Sequence, residues 1–278
     1  MTSTHLLEMR NVQVKLGNTE VFSDLSVTLP SDRSSAIIGP NGSGKSTLLK
    51  LIFQRISPVA KKDSIFKILG RPASENIQSH VRMSLVSHEL QTQIIRESSV
   101  LQAVVSAFFS TLTTYAHQSY TDEQYDVAQK YLDFVGIGRQ SDKLFSELST
   151  GEQRRCILAR ALVHDPEFLI LDEPTSALDL KATHQYMEVM AMLVAQGKKI
   201  VLVTHHLNEI FPQIDWFVFL KEGQVMDEGI RSSLLTDIKI SKLFDIPVDI
   251  EQHDGFISAK ALTTRKLRGL KGAQNLNL

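Results

Sequence analysis

A glycine-rich segment near the N-terminus has the residue types and spacing of a phosphate-binding loop. It follows the pattern G-x-x-x-x-G-K-[ST], between a short predicted strand at 34–38 and a helical pattern that starts at Lys45. Glycines let the backbone bend around an anion with its N–H groups turned inward, and the helix start adds partial positive charge. A chance glycine-rich turn is the alternative, and the strand–loop–helix context argues against it. The residues expected to contact the phosphates of a nucleotide are Gly39, Pro40, Asn41, Gly42, Ser43, Gly44, Lys45, Ser46 and Thr47.

Two side chains of this loop have defined chemical roles in the pattern. We expect the Lys45 ammonium to reach the β- and γ-phosphates, where it contributes positive charge to the reaction. The Ser46 hydroxyl can ligate Mg²⁺, a cation that prefers oxygen donors. The loop therefore predicts a site for a nucleotide and its Mg²⁺.

A second group of candidate residues follows two apolar runs later in the chain. Asp172 and Glu173 come directly after the run at 169–171, and His205 follows the run at 200–203. Because ligands bind at the carboxyl ends of strands in open α/β sheets, these side chains would meet the phosphate loop if their strands are neighbours. A plain solvated turn after a buried strand is the alternative for the two acids.

Each of these side chains suits one part of phosphate chemistry. Asp172 is suited to hold Mg²⁺, usually through water, and Glu173 to orient or deprotonate an attacking water. His205 could hydrogen-bond the γ-phosphate. Its neighbour His206 also suggests a metal site together with Glu209. No third ligand is evident, and we assign no role to His206.

The composition and the net charge exclude several classes of protein. The 278 residues carry 30 Lys and Arg against 31 Asp and Glu, a net charge of −1, which excludes a broadly basic protein that coats nucleic acid. A single cysteine, Cys156, excludes an internal disulfide and a cysteine-based metal site. Since the sequence has no charged-then-apolar leader, we expect the protein to reside in a reducing cytosol.

The stretch 98–121 lacks charged residues, but its apolar positions have the spacing of an amphipathic helix rather than a membrane span.

The apolar pattern predicts an α/β protein. Alternation at 12–14 and 25–29, around a turn at 17–18, indicates N-terminal strands. Short apolar runs separated by helical patterns indicate a parallel sheet that is covered on both faces. Gly136 is a signal for the end of a helix. Beyond the first strands, we expect strands at 34–38, 81–87, 168–171 and 200–203, helices across 97–150 and 180–196, and a hairpin at 216–227.

The segment at 148–153 completes a set of motifs. Ser149 and Glu152 have the spacing of a capping box at the start of a helix. In their order and spacing, the phosphate loop, this segment, the acids at 172–173 and His205 resemble the motifs of ATP-binding-cassette (ABC) ATPases. The resemblance extends over residues 5–235, and this combination of motifs is highly specific.

The resemblance implies a fold and a division of the chain. The fold is that of a P-loop NTPase (RecA-like), an α/β protein whose parallel-sheet core carries an N-terminal antiparallel β subdomain and an inserted α-helical subdomain. Residues 1–240 would form the ABC ATPase domain, with the helical subdomain at about 97–160. Residues 241–278 would form a C-terminal extension that ends in a basic tail.

The resemblance also implies a head-to-tail homodimer, or a pair of similar domains, with two ATP molecules at the interface. Each ATP would contact the phosphate loop of one subunit and Ser149, Gly151 and Glu152 of the other. A second helix N-terminus would then add N–H donors and its dipole to the γ-phosphate. Binding of two ATP would close the dimer, and hydrolysis would open it.

Three features depart from the family's pattern. Leu16 stands where an aromatic residue usually stacks on adenine, which weakens base stacking. His88 stands at the position of a glutamine that normally contacts Mg²⁺, so we place it with the metal site, and Gln91 is a nearby substitute. In the signature segment, Thr150 and Glu152 occupy positions where glycine and glutamine are commoner.

The function implied by the resemblance is that of the ATPase subunit of a transporter whose permease subunits are separate chains. The apolar region at 94–117 would pack on the permease, so the protein would lie on the inner face of the cell membrane. The segment 86–93 resembles that of the molybdate- and iron-type uptake group, which favours import of a metal or metal chelate. The alternative is a soluble ABC ATPase that acts on the ribosome or nucleic acid. The sequence shows neither tandem cassettes nor a long coiled-coil insertion, and we expect no nucleic-acid partner.

Overall fold

The computed structural model describes residues 5–75, 82–115 and 117–262. The predicted basic tail lies outside these ranges. The β-strands are β1 (His5–Leu16), β2 (Thr19–Pro30), β3 (Ser34–Ile38), β4 (Ile65–Ile68), β5 (Arg71–Pro72), β6 (Met83–Val86), β7 (Phe168–Asp172), β8 (Lys199–Thr204), β9 (Ile214–Lys221), β10 (Gln224–Ile230), β11 (Val248–His253) and β12 (Phe256–Ala261). The α-helices are α1 (Lys45–Ile52), α2 (His88–Gln93), α3 (Val100–Val105), α4 (Asp122–Phe134), α5 (Thr150–Leu162), α6 (Leu180–Ala195), α7 (Arg231–Leu234) and α8 (Asp237–Phe244).

A six-stranded sheet forms the centre of the fold, in the order β10-β9-β3-β8-β7-β6. All of its strands are parallel except β10, which pairs antiparallel with β9. A second sheet, in the order β2-β1-β4-β5, is antiparallel throughout. The predicted parallel core and N-terminal antiparallel β subdomain are therefore confirmed, as is the hairpin at 216–227.

Side chains of the central strands alternate between two separate cores. On one face of the main sheet, Ile37 and Val203 pack with α1 and the antiparallel sheet. On the other face, Ile38 and Leu202 pack with α5 and α6. Because both faces are covered, the central strands consist of nearly continuous apolar residues, as expected for a parallel sheet.

The helical region is less regular than the sequence predicts. The apolar stripe is helical from Val100 to Phe109, as α3 followed by a 3₁₀ turn, but the predicted amphipathic helix does not continue to residue 121. The chain turns at Ser110, which has φ +55. The Ser106 hydroxyl donates to the carbonyl oxygens of Ala103 and Thr111, both at 3.1 Å, and such side-chain bonds compete with the helix. Within the described ranges, no helix has the length and apolar character needed to cross a bilayer.

The C-terminal elements pack on the same core as the main sheet. Ile240 and Leu243 of α8 are buried there, together with Val248 of β11 and Ile257 of β12. β12 also lies against a 3₁₀ turn at 207–209, directly after β8. The domain boundary predicted at residue 240 therefore falls inside α8.

The turn between β9 and β10 supports the phosphate loop. Gly223 in this turn has φ +75, and a Cβ there would lie 2.1 Å from the carbonyl oxygen of Val21 in β2. Its N–H donates to the carbonyl oxygen of Ser43 at 3.1 Å.

We predict that Gly223→Ala lowers the free energy of unfolding by about 2–3 kcal/mol in urea titrations. An alanine would be strained in the left-handed backbone conformation, and its Cβ would also overlap with the carbonyl oxygen of Val21.

The exposed Gln224 in the same turn provides the control. Gln224→Ala should change the free energy of unfolding by less than about 0.5 kcal/mol. Equal effects of the two substitutions would contradict the close contact of the turn with β2.

Candidate active site

The carboxyl ends of three neighbouring strands bring the candidate residues to one edge of the main sheet. β3 pairs in parallel with β8, and β8 pairs in parallel with β7. The N–H of Gly39 donates to the carbonyl oxygen of Thr204 at 3.4 Å, and that of Glu173 donates to Val203 at 2.8 Å. The phosphate loop, the two acids and His205 thus meet at the same edge, as the sequence predicts.

The phosphate loop leads directly into α1. Gly44, the residue before the helix, has φ +106, and a Cβ there would lie 2.6 Å from the ring of Phe22 in the antiparallel sheet. Only glycine fits between the loop and that ring. The first turn of α1 contains no acidic residue, so its partial positive charge remains available to an anion.

The Lys45 ammonium lies against the phosphate loop. Its side chain is buried, and Nζ donates to the carbonyl oxygens of Gly39 at 2.8 Å and Pro40 at 3.0 Å. Burial lowers the pKa of Lys45, and the negative charges of Glu173 and Asp172 oppose this effect. A phosphate oxygen would give this cation a charged partner that neutral carbonyls cannot replace.

Ser46 and Asp172 line one cleft beside the loop, together with Ser87 and Glu89. Burial, and then the negative charge of Glu173, raises the pKa of Asp172 to about 6. Hydroxyl and carboxylate oxygens are the donors that Mg²⁺ prefers, and this ion is usually held by one or two carboxylates and the phosphates of its substrate. The Ser46 hydroxyl and the Asp172 carboxylate are donors of this kind, and the phosphates of a bound nucleotide would complete the ligand set.

Glu173 and His205 form a direct contact at the sheet edge. Oε1 of Glu173 lies 2.6 Å from Nδ1 of His205, and both side chains remain partly exposed. Glu173 has φ +47, a conformation that costs about 1–2 kcal/mol in a residue with a Cβ and that occurs at functional sites. The second nitrogen of His205 is left to interact with another group, such as an anion.

His88 lies outside the cleft. It is the exposed first residue of α2, whose start is capped by Ser87: the Ser87 hydroxyl accepts a hydrogen bond from the N–H of Leu90 at 3.4 Å. The residues on either side of His88, Ser87 and Glu89, line the cleft instead. The structure therefore places the predicted metal ligands Ser46 and Asp172 together and leaves His88 apart from them.

Gln91, which the sequence offered only as a substitute for His88, is buried. Its Nε2 donates to Oε1 of Gln153 in α5 at 2.9 Å. Gln153 in turn donates to the carbonyl oxygens of Phe145 and Leu148, each at 3.2 Å. This chain of hydrogen bonds joins α2 to the start of α5, and no local sequence pattern indicates it.

The signature segment forms the predicted capping box. The Ser149 hydroxyl accepts a hydrogen bond from the N–H of Glu152 at 3.3 Å, and Oε2 of Glu152 accepts one from the N–H of Ser149 at 2.9 Å. Burial acts to raise the pKa of Glu152, but the hydrogen bonds from Ser149 and the charge of Arg155 lower it overall. Gly151 packs on Ala182 of α6. None of these signature residues lines the cleft formed by Ser46 and its neighbours.

Glu209 has a position that the sequence analysis missed. It is 1% exposed, and its Oε1 accepts hydrogen bonds from the N–H of Thr175 at 3.0 Å and from its hydroxyl at 2.5 Å. The available sequence signal was an acid that follows the strand-end histidines and lies between Leu207 and Ile210, two apolar residues that are both buried.

Comparison with known proteins identifies the family to which this chain is similar. Residues 22–176 match the family described as ABC transporter. The Nod factor export ATP-binding protein I of Burkholderia lata is 31% identical over 232 residues, which cover 82% of this chain and 72% of the relative. The petrobactin import ATP-binding protein YclP of Bacillus subtilis is 29% identical over 253 residues, covering 90% and 96%.

Two solved structures show the likeness of the fold. An inward-facing transporter described as metal-chelate type has a TM-score of 0.76 at 23% identity, covering 95% of this chain and 99% of the other. A dimeric bacterial ABC transporter cassette has a TM-score of 0.65 at 24% identity, covering 81% and 98%. The chain belongs to the ABC transporter family. It is an ATP-binding subunit of such a transporter and an ATP-hydrolysing enzyme.

The burial and bonding of Lys45 give a direct test of the phosphate loop. We predict that Lys45→Ala weakens ATP binding at least about 10-fold in calorimetric titrations, because it removes a charge-assisted partner of the phosphates. Lys62→Ala, at an exposed lysine, is the charge-matched control and should bind ATP normally. Unchanged affinity in Lys45→Ala would contradict the assignment of the loop.

Proposed function

We propose that this chain drives a separate membrane permease and works as a homodimer around two ATP molecules. The observation that carries the hydrolytic part of the proposal is the 2.6 Å contact between Glu173 and His205, at the sheet edge that also holds the phosphate loop. A carboxylate in this position can act on water beside the terminal phosphate. The chain is thereby equipped to hydrolyse ATP as well as to bind it.

Each side chain at the edge has one role in the proposed reaction. The phosphate loop holds the phosphates, and Lys45 balances their negative charge. Ser46 and Asp172 would hold Mg²⁺, which neutralises developing charge on the phosphates when bound. Glu173 orients the attacking water and accepts its proton. His205, held by Glu173 through Nδ1, donates from Nε2 to the γ-phosphate when both of its ring nitrogens carry a proton.

The second half of each ATP site comes from the other subunit in this proposal. Ser149 is exposed at the start of the 13-residue helix α5, and a helix N-terminus attracts anions. Ser149, Gly151 and Glu152 would therefore contact the ATP bound to the partner's phosphate loop. One of the structures with a similar fold is described as a dimer, which is the arrangement we propose. ATP would hold the two subunits together, and its hydrolysis would release them.

The predicted permease-binding region carries exposed apolar side chains. Ile95, Phe109 and Tyr115 are 41%, 44% and 47% exposed. The segment between Ile95 and Tyr115 includes α3, and Arg160 of α5 anchors it, because its Nη1 donates to the carbonyl oxygen of Ala103 at 2.6 Å. Exposed aromatic residues on a supported turn favour protein–protein contact. A permease bound here would keep the subunit on the inner face of the cell membrane.

For the cargo we propose a metal or a metal chelate. One similar fold comes from a transporter described as metal-chelate type, and the segment 86–93 resembles that of the molybdate- and iron-type uptake group. Other relatives are named for glutamate, ribose and Nod factor. This diversity agrees with a motor whose cargo is chosen by the permease.

Removal of the catalytic base tests the hydrolytic part of the proposal. We predict that Glu173→Gln lowers kcat by about 10²–10⁴-fold, because the amide cannot accept the proton of water. ATP affinity should stay near that of the wild type, and a dimer should accumulate in ATP. Steady-state ATPase assays and light scattering after size exclusion provide the measurements.

A second substitution in the same background tests the shared site. Ser149→Arg combined with Glu173→Gln should abolish the ATP-dependent dimer, whereas Ser258→Arg, at an exposed position of β12, should leave it intact. A dimer that survives Ser149→Arg would contradict the shared site. ATP hydrolysis by Glu173→Gln at the wild-type rate would contradict the assignment of Glu173 as the base that accepts the proton of water.

Purification in mild detergent from the source cells tests the proposed partner. We expect the tagged Glu173→Gln protein to retain a polytopic membrane protein, because apolar side chains at the 94–117 region bind it. Phe109→Arg should lose this partner, and Phe256→Arg, at a similarly exposed phenylalanine, should retain it. Recovery of ribosomes without a membrane protein would support the alternative function instead.

A further inference from the structure

Glu209 connects the two loops that carry the proposed hydrolytic pair. It lies in the 3₁₀ turn four residues after His205, and it accepts both hydrogen bonds described above from Thr175, two residues after Glu173. The link between Glu209 and Thr175 therefore runs beside the contact between Glu173 and His205. One carboxylate holds the loop after β7 at a set distance from the loop after β8.

Such a link matters because the backbone it holds is strained. Glu173 and Ala177 both have left-handed φ angles, +47 and +65. Residues in such conformations persist only where their surroundings over-determine them. Thr175 lies midway between these two residues, and its N–H and hydroxyl are both bonded to Glu209. Loss of the carboxylate would release the segment that aims Glu173.

The charge of Glu209 has a buried counterpart in α5. Arg154 and Glu209 are each 1% exposed. Within the described ranges, Nε and Nη1 of Arg154 and Oε2 of Glu209 have no hydrogen-bond partner. Burial lowers the pKa of Arg154, and Tyr186, Glu209 and Asp172 oppose this effect through their charges. Isolated buried charges are costly, and these two buried groups carry opposite charges, so each can offset the charge of the other through space without a direct hydrogen bond.

We infer that Glu209 is a positioning residue for ATP hydrolysis, which holds the Glu173 loop through Thr175, and that Arg154 supplies its counter-charge from α5. This inference rests on the proposed role of Glu173. It also gives α5 two duties, since its first turn would serve the partner's ATP while Arg154 supports the hydrolytic loop of its own subunit.

Substitutions at Glu209 separate positioning from binding. Glu209→Met removes the acceptor at similar volume, and it should lower kcat at least about 10-fold while the ATP dissociation constant changes by less than about 2-fold. Glu209→Gln keeps one acceptor oxygen and should lose clearly less activity. Hydrogen exchange without nucleotide should be faster at 173–178 in Glu209→Met and unchanged in Glu188→Met, a control at an exposed glutamate of α6. Wild-type kcat in folded Glu209→Met, or equal losses of binding and turnover, would overturn the role.

A double-mutant cycle tests the part assigned to Arg154. Arg154→Met alone leaves the Glu209 charge uncompensated and should lower kcat. Combination with Glu209→Gln removes both charges, so the double variant should exceed the product of the two single activities by about 5-fold or more. Activities that simply multiply would show that Arg154 is not the counter-charge. Thermal unfolding of each variant reports whether it is folded.

The outcomes also separate this inference from the proposed function. Wild-type hydrolysis by Glu173→Gln would refute the proposed function whatever Glu209 does. An inactive Glu173→Gln together with a fully active Glu209→Met would leave the proposed function in place and refute only the positioning role.

Discussion

The parallel pairing of β3, β8 and β7 is the constraint on which the rest of the site depends. Ile38 pairs with Thr204, and Asp172 pairs with Val203. Parallel neighbours in this register end at the same height, so the segments that follow them begin within hydrogen-bond distance of each other. Burial of apolar side chains on both faces holds these strand ends in place. A phosphate loop, two acids and a histidine separated by more than 160 positions in the sequence thereby form one site.

Charge is the second organising feature of this edge. Asp172, Glu173 and Glu209 lie near one another, and the negative charge of Glu173 contributes to the raised pKa of Asp172. Lys45 and Arg154 lower that pKa and so offset part of the repulsion. Carboxylates in such a setting attract a cation, so the proposed oxygen ligands for Mg²⁺ and the proposed base for water can coexist in a small volume.

Helix α5 connects the otherwise separate parts of the molecule. Near its start, Gln153 bonds to Gln91 of α2, and Arg154 lies next in the chain with its charge near that of Glu209. Two turns later, Arg160 holds the carbonyl oxygen of Ala103 below the exposed apolar turn. A displacement of this one helix would therefore also move the proposed permease surface, α2 and the segment that follows β7 and carries Glu173. The Ser149 cap at its first turn adds the proposed contact with the partner's ATP.

The sequence by itself determined the features that depend on local patterns. Glycine spacing defined the phosphate loop, continuous apolar runs defined the parallel strands, and a three-residue interval between Ser149 and Glu152 defined the cap of α5. Only the tertiary structure decided where the helix in 98–121 ends, because Arg160 of the distant helix α5 donates to the carbonyl oxygen of Ala103 and to the Ser106 hydroxyl at that point. The same holds for the exposed position of His88 and for the burial of Glu209 against Thr175. Burial and the pairing of charges arise from elements far apart in the chain, and no spacing of neighbouring residues encodes them.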